Sequence, residues 1–307
     1  MDNSQRLIWL GGQILPVNEA KINILSPTSQ FGLNVFEGIR CYWAETEKQL
    51  FAFRLNDHIK RMQQSIKLMR MKSPYSNEDL IRSFFDVIKA NNYQEDISVR
   101  QTVFVDGLGG TWNSCEPVNM FIAPISKHFT PITEKKGLRC QVSSWERIND
   151  RNLSPRAKVG ANYINSRMAF LEAVQNGYDS AIFLNSQGKV SEGPGSCFFM
   201  IRDNILYTPP VTASILESIT RDTIIRIARD MMGMEVVERD IDRTELYICD
   251  EAFLCGSAME ITHITDIDGY IVADGCLGKT THQLSNCYYQ IVTGQLSQYK
   301  DWLTAIY

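Results

Sequence analysis

The chain has 307 residues, 44% hydrophobic and 21% charged, with a net charge of −4. That is the profile of a folded globular protein of one large or two ordinary domains. It offers no basic footprint for a nucleic-acid partner, and no apolar run reaches the length that a membrane span needs. Eight cysteines are scattered without a Cys-x-x-Cys pair and four histidines stand far apart. No secretory leader precedes them, so reduced thiols, no structural zinc and a cytoplasmic location are expected.

In chain order, Leu7–Leu10 and Gln13–Pro16 flank Gly11-Gly12 and predict a hairpin. Asn34–Tyr42 and Leu50–Phe53 read as strands around the polar turn Glu45-Thr46-Glu47-Lys48. Asn56–Met71 carries Ile59, Met62, Ile66 and Met69 at helical spacing; Asn77–Asn91 repeats the pattern, with Asn77 as its N-cap. The strands Ile97–Val105 and Val118–Pro124 follow, joined through Gly107-Leu108-Gly109-Gly110. Residues 128–137 are polar, hold Pro131 and lack periodicity, which places there the connection between a small domain, 1–127, and a larger one, 138–307. Beyond it come the strand Leu138–Ser143, an irregular stretch Asn149–Pro155 and the helix Ala161–Asn176. Strands are predicted at Ser180–Leu184, Ser196–Ile201 and Ile205–Tyr207. The helix Thr220–Met232, strands near Glu235–Arg239, Glu251–Cys255 and Ile271, and the helix Thr280–Leu296 complete the chain. This is a mixed α/β chain without a strict βαβ rhythm, which favours two α+β domains over one doubly wound sheet.

Three segments carry the chemistry. Lys158 lies in Pro155-Arg156-Ala157-Lys158-Val159-Gly160-Ala161-Asn162-Tyr163, where a loop becomes a helix; the small residues around it let a flat ring approach the backbone. Glu192 follows thirty-four residues later in Ser191-Glu192-Gly193-Pro194-Gly195-Ser196. Ser218-Ile219-Thr220-Arg221 then opens a helix whose first N–H groups suit a phosphate. A lysine amine for a Schiff base, a carboxylate for a pyridine nitrogen and a helix start for a phosphate are the parts a pyridoxal 5′-phosphate site needs. Two other loops are decoys. Gly278-Lys279-Thr280 lacks the P-loop's first glycine, Ala273 standing in its place, and Gly107-Leu108-Gly109-Gly110 lacks dinucleotide spacing and a following helix.

Taken in order, Val35-Phe36-Glu37-Gly38-Ile39-Arg40-Cys41-Tyr42, the His58–Arg61 helix, Lys158–Tyr163, Ser191-Glu192-Gly193, Ile219-Thr220-Arg221-Asp222 and Gly256-Ser257-Ala258-Met259-Glu260-Ile261-Thr262 resemble the fold-type-IV pyridoxal phosphate enzymes. The resemblance is closest to the branched-chain amino acid aminotransferases and runs over nearly the whole chain. It implies a small N-terminal and a larger C-terminal α/β domain with the cofactor between them, and a homodimer acting on an L-amino acid and 2-oxoglutarate. Lys158 would form the Schiff base and shuttle the proton. Glu192 would hold the ring nitrogen, Tyr163 the ring oxygen, and Arg61 with Ser218, Ile219, Thr220 and Ser257 the phosphate. Around the substrate it places Phe31, Phe36, Gly38, Arg40, Ser98 and Arg100, with the Ser257 and Ala258 amides on the α-carboxylate.

This sequence departs from the family pattern mostly around the substrate. Phe31 and Ser98 stand where bacterial relatives typically carry tyrosines, Ser218 replaces a glycine, Cys197 an asparagine and His263 a proline. These changes leave open a transaminase for a bulkier or more polar amino acid in specialised biosynthesis. D-amino acid transaminase, aminodeoxychorismate lyase and a non-catalytic relative share the fold.

Overall fold

The structure, a computed structural model, describes residues 5–307. It divides into two compact units: one runs to Phe129 and takes in Ala157–Ala161 and Ile291–Tyr307, and the other comprises Thr130–Arg156 and Asn162–Gln290.

The first unit is an antiparallel seven-stranded sheet covered by two helices. Its strands are β1 (Leu7–Leu10), β2 (Gln13–Pro16), β3 (Asn34–Ala44), β4 (Gln49–Phe53), β5 (Ile97–Val105), β6 (Val118–Ser126) and a C-terminal strand, Leu303–Ala305, that borders β4. Gly11 and Gly12 close the β1–β2 hairpin with positive φ at both positions, which only the missing Cβ makes cheap. A short helix α1 (Pro27–Phe31), absent from the sequence reading, is started by Ser26 as N-cap and Pro27 in its first turn.

Helix α2 (Leu55–Leu68) buries Leu55, Ile59, Met62 and Ile66, and α3 (Asn77–Asn91) buries Leu80, Phe84, Val87 and Ile88. Both faces join Val35, Ile39, Val99 and Val103 of the sheet in one core, together with Ala157 and Val159. The cap of α3 is Ser76 rather than Asn77. Ser76 Oγ accepts the Asp79 N–H, and the Asp79 carboxylate accepts the Ser76 N–H in return, a capping box that Asn77 has no partner to form. Helix α2 stops short of the expected Met71, with Arg70 in a left-handed conformation just beyond it.

The second unit is built on a mixed nine-stranded sheet. It contains β7 (Leu138–Glu146), β8 (Ser180–Leu184), β9 (Glu192–Gly193), β10 (Ser196–Arg202), β11 (Ile205–Thr208), β12 (Val236–Glu238), β13 (Glu251–Gly256), β14 (Glu260–Ile267) and β15 (Tyr270–Ile271). β7 pairs in parallel with β8 and β14, and β11 with β12; the other pairs are antiparallel. The sequence reading missed β14, which lies between β13 and β7. Helix α4 (Tyr163–Gln175) follows a 3-10 turn, Gly160–Asn162, and packs Ala169 and Ala173 on Ala181 and Phe183. Helix α5 (Ile219–Arg226) loosens into a π turn over Ile227–Met231. Helix α6 (Lys279–Val292) ends before the expected Leu296, with Gly294 at positive φ. Among the described residues no helix is long and apolar enough to cross a membrane, and all eight cysteines are free thiols.

Candidate active site

In the first unit, β3 and β5 gather most of the expected substrate residues. Their register pairs Phe36 with Thr102, Gly38 with Arg100 and Arg40 with Ser98. Directly paired residues share a face and alternate residues repeat it. Phe36, Gly38, Arg40, Ser98 and Arg100 therefore lie on one face of the sheet. The Arg100 guanidinium stacks on the Phe36 ring, its carbon 3.9 Å from the centroid, and the Lys158 ammonium lies 5.1 Å from the same ring. Arg40 is buried, 4.9 Å from the Tyr42 ring. Phe31 stands apart from this face, at the end of α1 and 46% exposed.

The opposite face of β3 belongs to the core, and there Glu37 interrupts the alternation between Val35 and Ile39. Its buried carboxylate takes two hydrogen bonds from Arg61, at 2.8 and 2.7 Å, and faces His58 Nδ1 at 2.7 Å. Burial alone would raise the Glu37 pKa. The charge and hydrogen bonds of Arg61, helped by His58, outweigh it and hold the carboxyl well below the usual range. Burial lowers the His58 pKa, and the Arg61 and Lys158 cations add to that; the Glu37 contacts oppose it without prevailing. His58, Arg61 and Ser65 lie along one side of α2. Ser65 Oγ accepts the Lys158 N–H at 3.0 Å, while the Lys158 carbonyl accepts from Phe36 N, also at 3.0 Å. One helix thus fixes both the Arg61 head and the Lys158 backbone.

The second unit links its expected residues through a different buried pair. Glu192 leads into β10 through a tight turn. One carboxylate oxygen meets Arg147 Nη2 at 2.7 Å and the other accepts the Leu216 N–H at 3.1 Å. Arg147 in turn donates to Asn165 and Ser166 of α4, at 3.2 and 3.4 Å, with its guanidinium 5.5 Å from the Phe183 ring. Leu216 leads into Ser218, whose side chain accepts the Arg221 N–H and caps α5. The Arg221 side chain moors the start of that helix to Thr208, Pro209 and Glu238. A Cβ added at Gly195 would lie 3.9 Å from the Tyr163 ring, and one at Gly256 would lie 3.2 Å from the Gly195 carbonyl. Tyr163, Glu192, the start of α5 and the Ser257–Ala258 turn are therefore neighbours within this unit.

Glu37, His58, Ser65 and Arg147 escaped the sequence reading as site residues. For the first three a signal existed: a carboxylate at an inward strand position, and polar residues three and four apart beside the apolar stripe of α2. Arg147 gave none, lying beyond the predicted end of its strand. Of the two decoys, Gly278-Lys279-Thr280 opens α6, and the Glu251 carboxylate already takes the N–H groups of Thr280 and Thr281. That helix start is filled by a protein anion.

Comparison with known proteins identifies the family. A family model described as amino-transferase class IV matches residues 34–267. A probable branched-chain-amino-acid aminotransferase from Aquifex aeolicus is 37% identical over 304 residues, covering 99% of this chain and 98% of that protein. The crystal structure of a branched-chain amino acid aminotransferase from Thermobaculum terrenum in its PLP form superimposes with a TM-score of 0.94 at 40% identity, over 100% of both chains. A T.th. branched-chain amino acid aminotransferase complexed with N-(5′-phosphopyridoxyl)-L-glutamate gives 0.91 at 36%, over 99% of both. This chain therefore belongs to the class IV aminotransferases, and its cofactor is pyridoxal 5′-phosphate.

Proposed function

We propose that the enzyme moves an amino group between a branched-chain L-amino acid and 2-oxoglutarate in a ping-pong cycle. The observation that carries this reading is the β3–β5 face. Phe36 and the bare Gly38 offer an apolar wall beside Arg100, an exposed cation stacked on that wall. A transaminase of this kind must accept an aliphatic side chain in one half of its cycle and a carboxylate in the other. A surface of this composition serves both, the arginine meeting the charge and the ring the hydrocarbon. The glutamate adduct carried by the T.th. relative supports the dicarboxylate half.

The donor set fits the cofactor's chemistry. The cofactor supplies an electron sink for the carbanion formed at the substrate Cα. Lys158 is the residue to bind it covalently and to move the proton, its backbone fixed by Ser65 and β3. Glu192, paired with Arg147, is suited to hold the ring nitrogen protonated, and Tyr163 to meet the ring oxygen. Ser218, Ile219 and Thr220 at the start of α5, with Ser257 and Arg61, offer donors to the phosphate. Ser257 and Ala258 amides are assigned to the α-carboxylate, and Phe31, Phe36, Gly38, Arg40, Ser98 and Arg100 to the rest of the substrate. A cytoplasmic homodimer is part of the proposal; the exposed Leu108 and Trp112 are surface that a partner would cover.

Ser98, opposite Arg40, motivates a second reading, a transaminase for a bulkier or more polar amino acid. The visible spectrum of the holoenzyme during addition of L-Glu, L-Val, L-Leu or L-Ile separates the two. Conversion of the cofactor band by glutamate and by the branched set is expected. A band that glutamate converts and the branched set leaves unchanged would move the function to the second reading. Arg100→Ala should weaken dicarboxylate binding far more than monocarboxylate binding; equal losses would remove Arg100 from substrate recognition.

A further inference from the structure

Lys135 lies in the segment read from sequence as a plain connection, directly after the 3-10 turn Ile132–Glu134. Its side chain is only 14% exposed. The ammonium donates to the Met259 carbonyl at 2.8 Å and the Ile261 carbonyl at 3.0 Å, and faces the Glu260 carboxylate at 3.5 Å. An ammonium has three donors and is strongly hydrated. Here it is drawn out of water onto three consecutive residues.

Those residues close the turn between β13 and β14. Gly256 pairs with Glu260, so the chain reverses over Ser257, Ala258 and Met259. Glu260 completes the reversal at φ +58°, a left-handed conformation that a glutamate adopts only when its surroundings hold it there. Thr262 Oγ1 adds a tie to the Met259 carbonyl at 3.2 Å. Gly256 abuts the Gly195 carbonyl, just past Glu192, so the orientation of this turn is set relative to the Glu192 hairpin.

We propose that Lys135 is a positioning residue for the substrate's α-carboxylate, holding the Ser257 and Ala258 amides in the orientation that receives it. The inference rests on the reading of that turn as the carboxylate subsite. Every amino acid and oxo acid in the cycle carries this carboxylate, so Lys135 affects both half-reactions alike and leaves side-chain preference unchanged.

The test uses the holoenzyme with Lys135→Met and Lys135→Arg, titrated with 4-methylvalerate, an unreactive monocarboxylate with a branched aliphatic chain. Binding is read from the visible cofactor band, alongside steady-state kinetics. Lys135→Met should raise the 4-methylvalerate Kd and the KM for amino acid and oxo acid together, by about tenfold, the scale of one weakened charge-assisted hydrogen bond. Cofactor affinity and kcat should change far less, and Lys135→Arg should recover most of the lost affinity. Unchanged carboxylate affinity in Lys135→Met overturns the proposal. So does loss of cofactor together with carboxylate, when Lys135→Arg restores the cofactor alone. Ala258→Pro, which deletes one of the amides, separates the two layers. If it leaves 4-methylvalerate binding intact, the carboxylate subsite lies elsewhere, and the role of Lys135 falls with it.

Discussion

Glu192 and Glu37 are both buried carboxylates held by an arginine, yet their surroundings give them different work. Glu192 divides its carboxylate oxygens between Arg147 and the Leu216 amide. Glu192→Gln keeps the shape and removes the charge. It should retain the cofactor and lose most turnover, because a neutral amide is a poor partner for a protonated ring nitrogen. Near-normal kcat in that variant would refute the assignment. Glu37 is tied to Arg61 and His58, and its effect is on stability. His58 titrates below its ordinary 6.5 and Glu37 below its ordinary 4.5. As pH falls, the unfolded chain takes up each proton before the folded protein does. The stability these groups give is complete above pH 6.5, declines as His58 is reached, and declines further below pH 4.5. Urea midpoints should therefore fall monotonically on acidification through this window; a midpoint that rises between neutrality and pH 4.5 would contradict the network.

Among the elements, the capping box of α3 gives the sharpest local prediction. Ser76 is the residue that accepts the Asp79 N–H, so Ser76→Ala should cost about 1 kcal/mol. Asn77→Ala, one residue into the helix, should change stability by only a few tenths, in the favourable direction. Thermal or urea unfolding of the pair checks the order. How far such elements could be read from the residues depends on where their determinants lie. The β1–β2 hairpin, α2 and α3 are encoded by adjacent residues, through turn glycines and an apolar stripe, and are legible. β14 is not. Thr262, His263, Thr265 and Asp266 dilute its apolar pattern, and it is a strand because β13 and β7 supply partners on either side. The same division runs through the candidate site. Lys158, Glu192 and the start of α5 are each marked by their own neighbours, whereas Arg147 is paired with a residue forty-five positions away.

At the scale of the whole molecule, the sequence suggests a single crossing from one domain to the next at residues 128–137. The chain instead contributes Ala157–Ala161 and Ile291–Tyr307 to the first unit. Composition is a local property and carries no mark of such returns. Their contribution is concrete. Val159 pairs with Val35 and is buried with Ala157 in the core that α2 and α3 cover, and Ile306 joins the same cluster. The strand Leu303–Ala305 pairs along β4, the Ile306 N–H bonds the Leu50 carbonyl, and the Tyr307 hydroxyl reaches the Tyr93 carbonyl. A fragment ending at Phe129 loses all of this. Val159 and Ile306 are each worth about 1.5–3 kcal/mol of burial, against a total stability of roughly 5–15 kcal/mol for a domain. The bare edge of β4 is also a template for association. The fragment should be insoluble or should melt without a cooperative transition, although it contains both helices and every other strand of the sheet. A soluble fragment with a sharp thermal transition by circular dichroism would show that the returning segments decorate the unit rather than complete it.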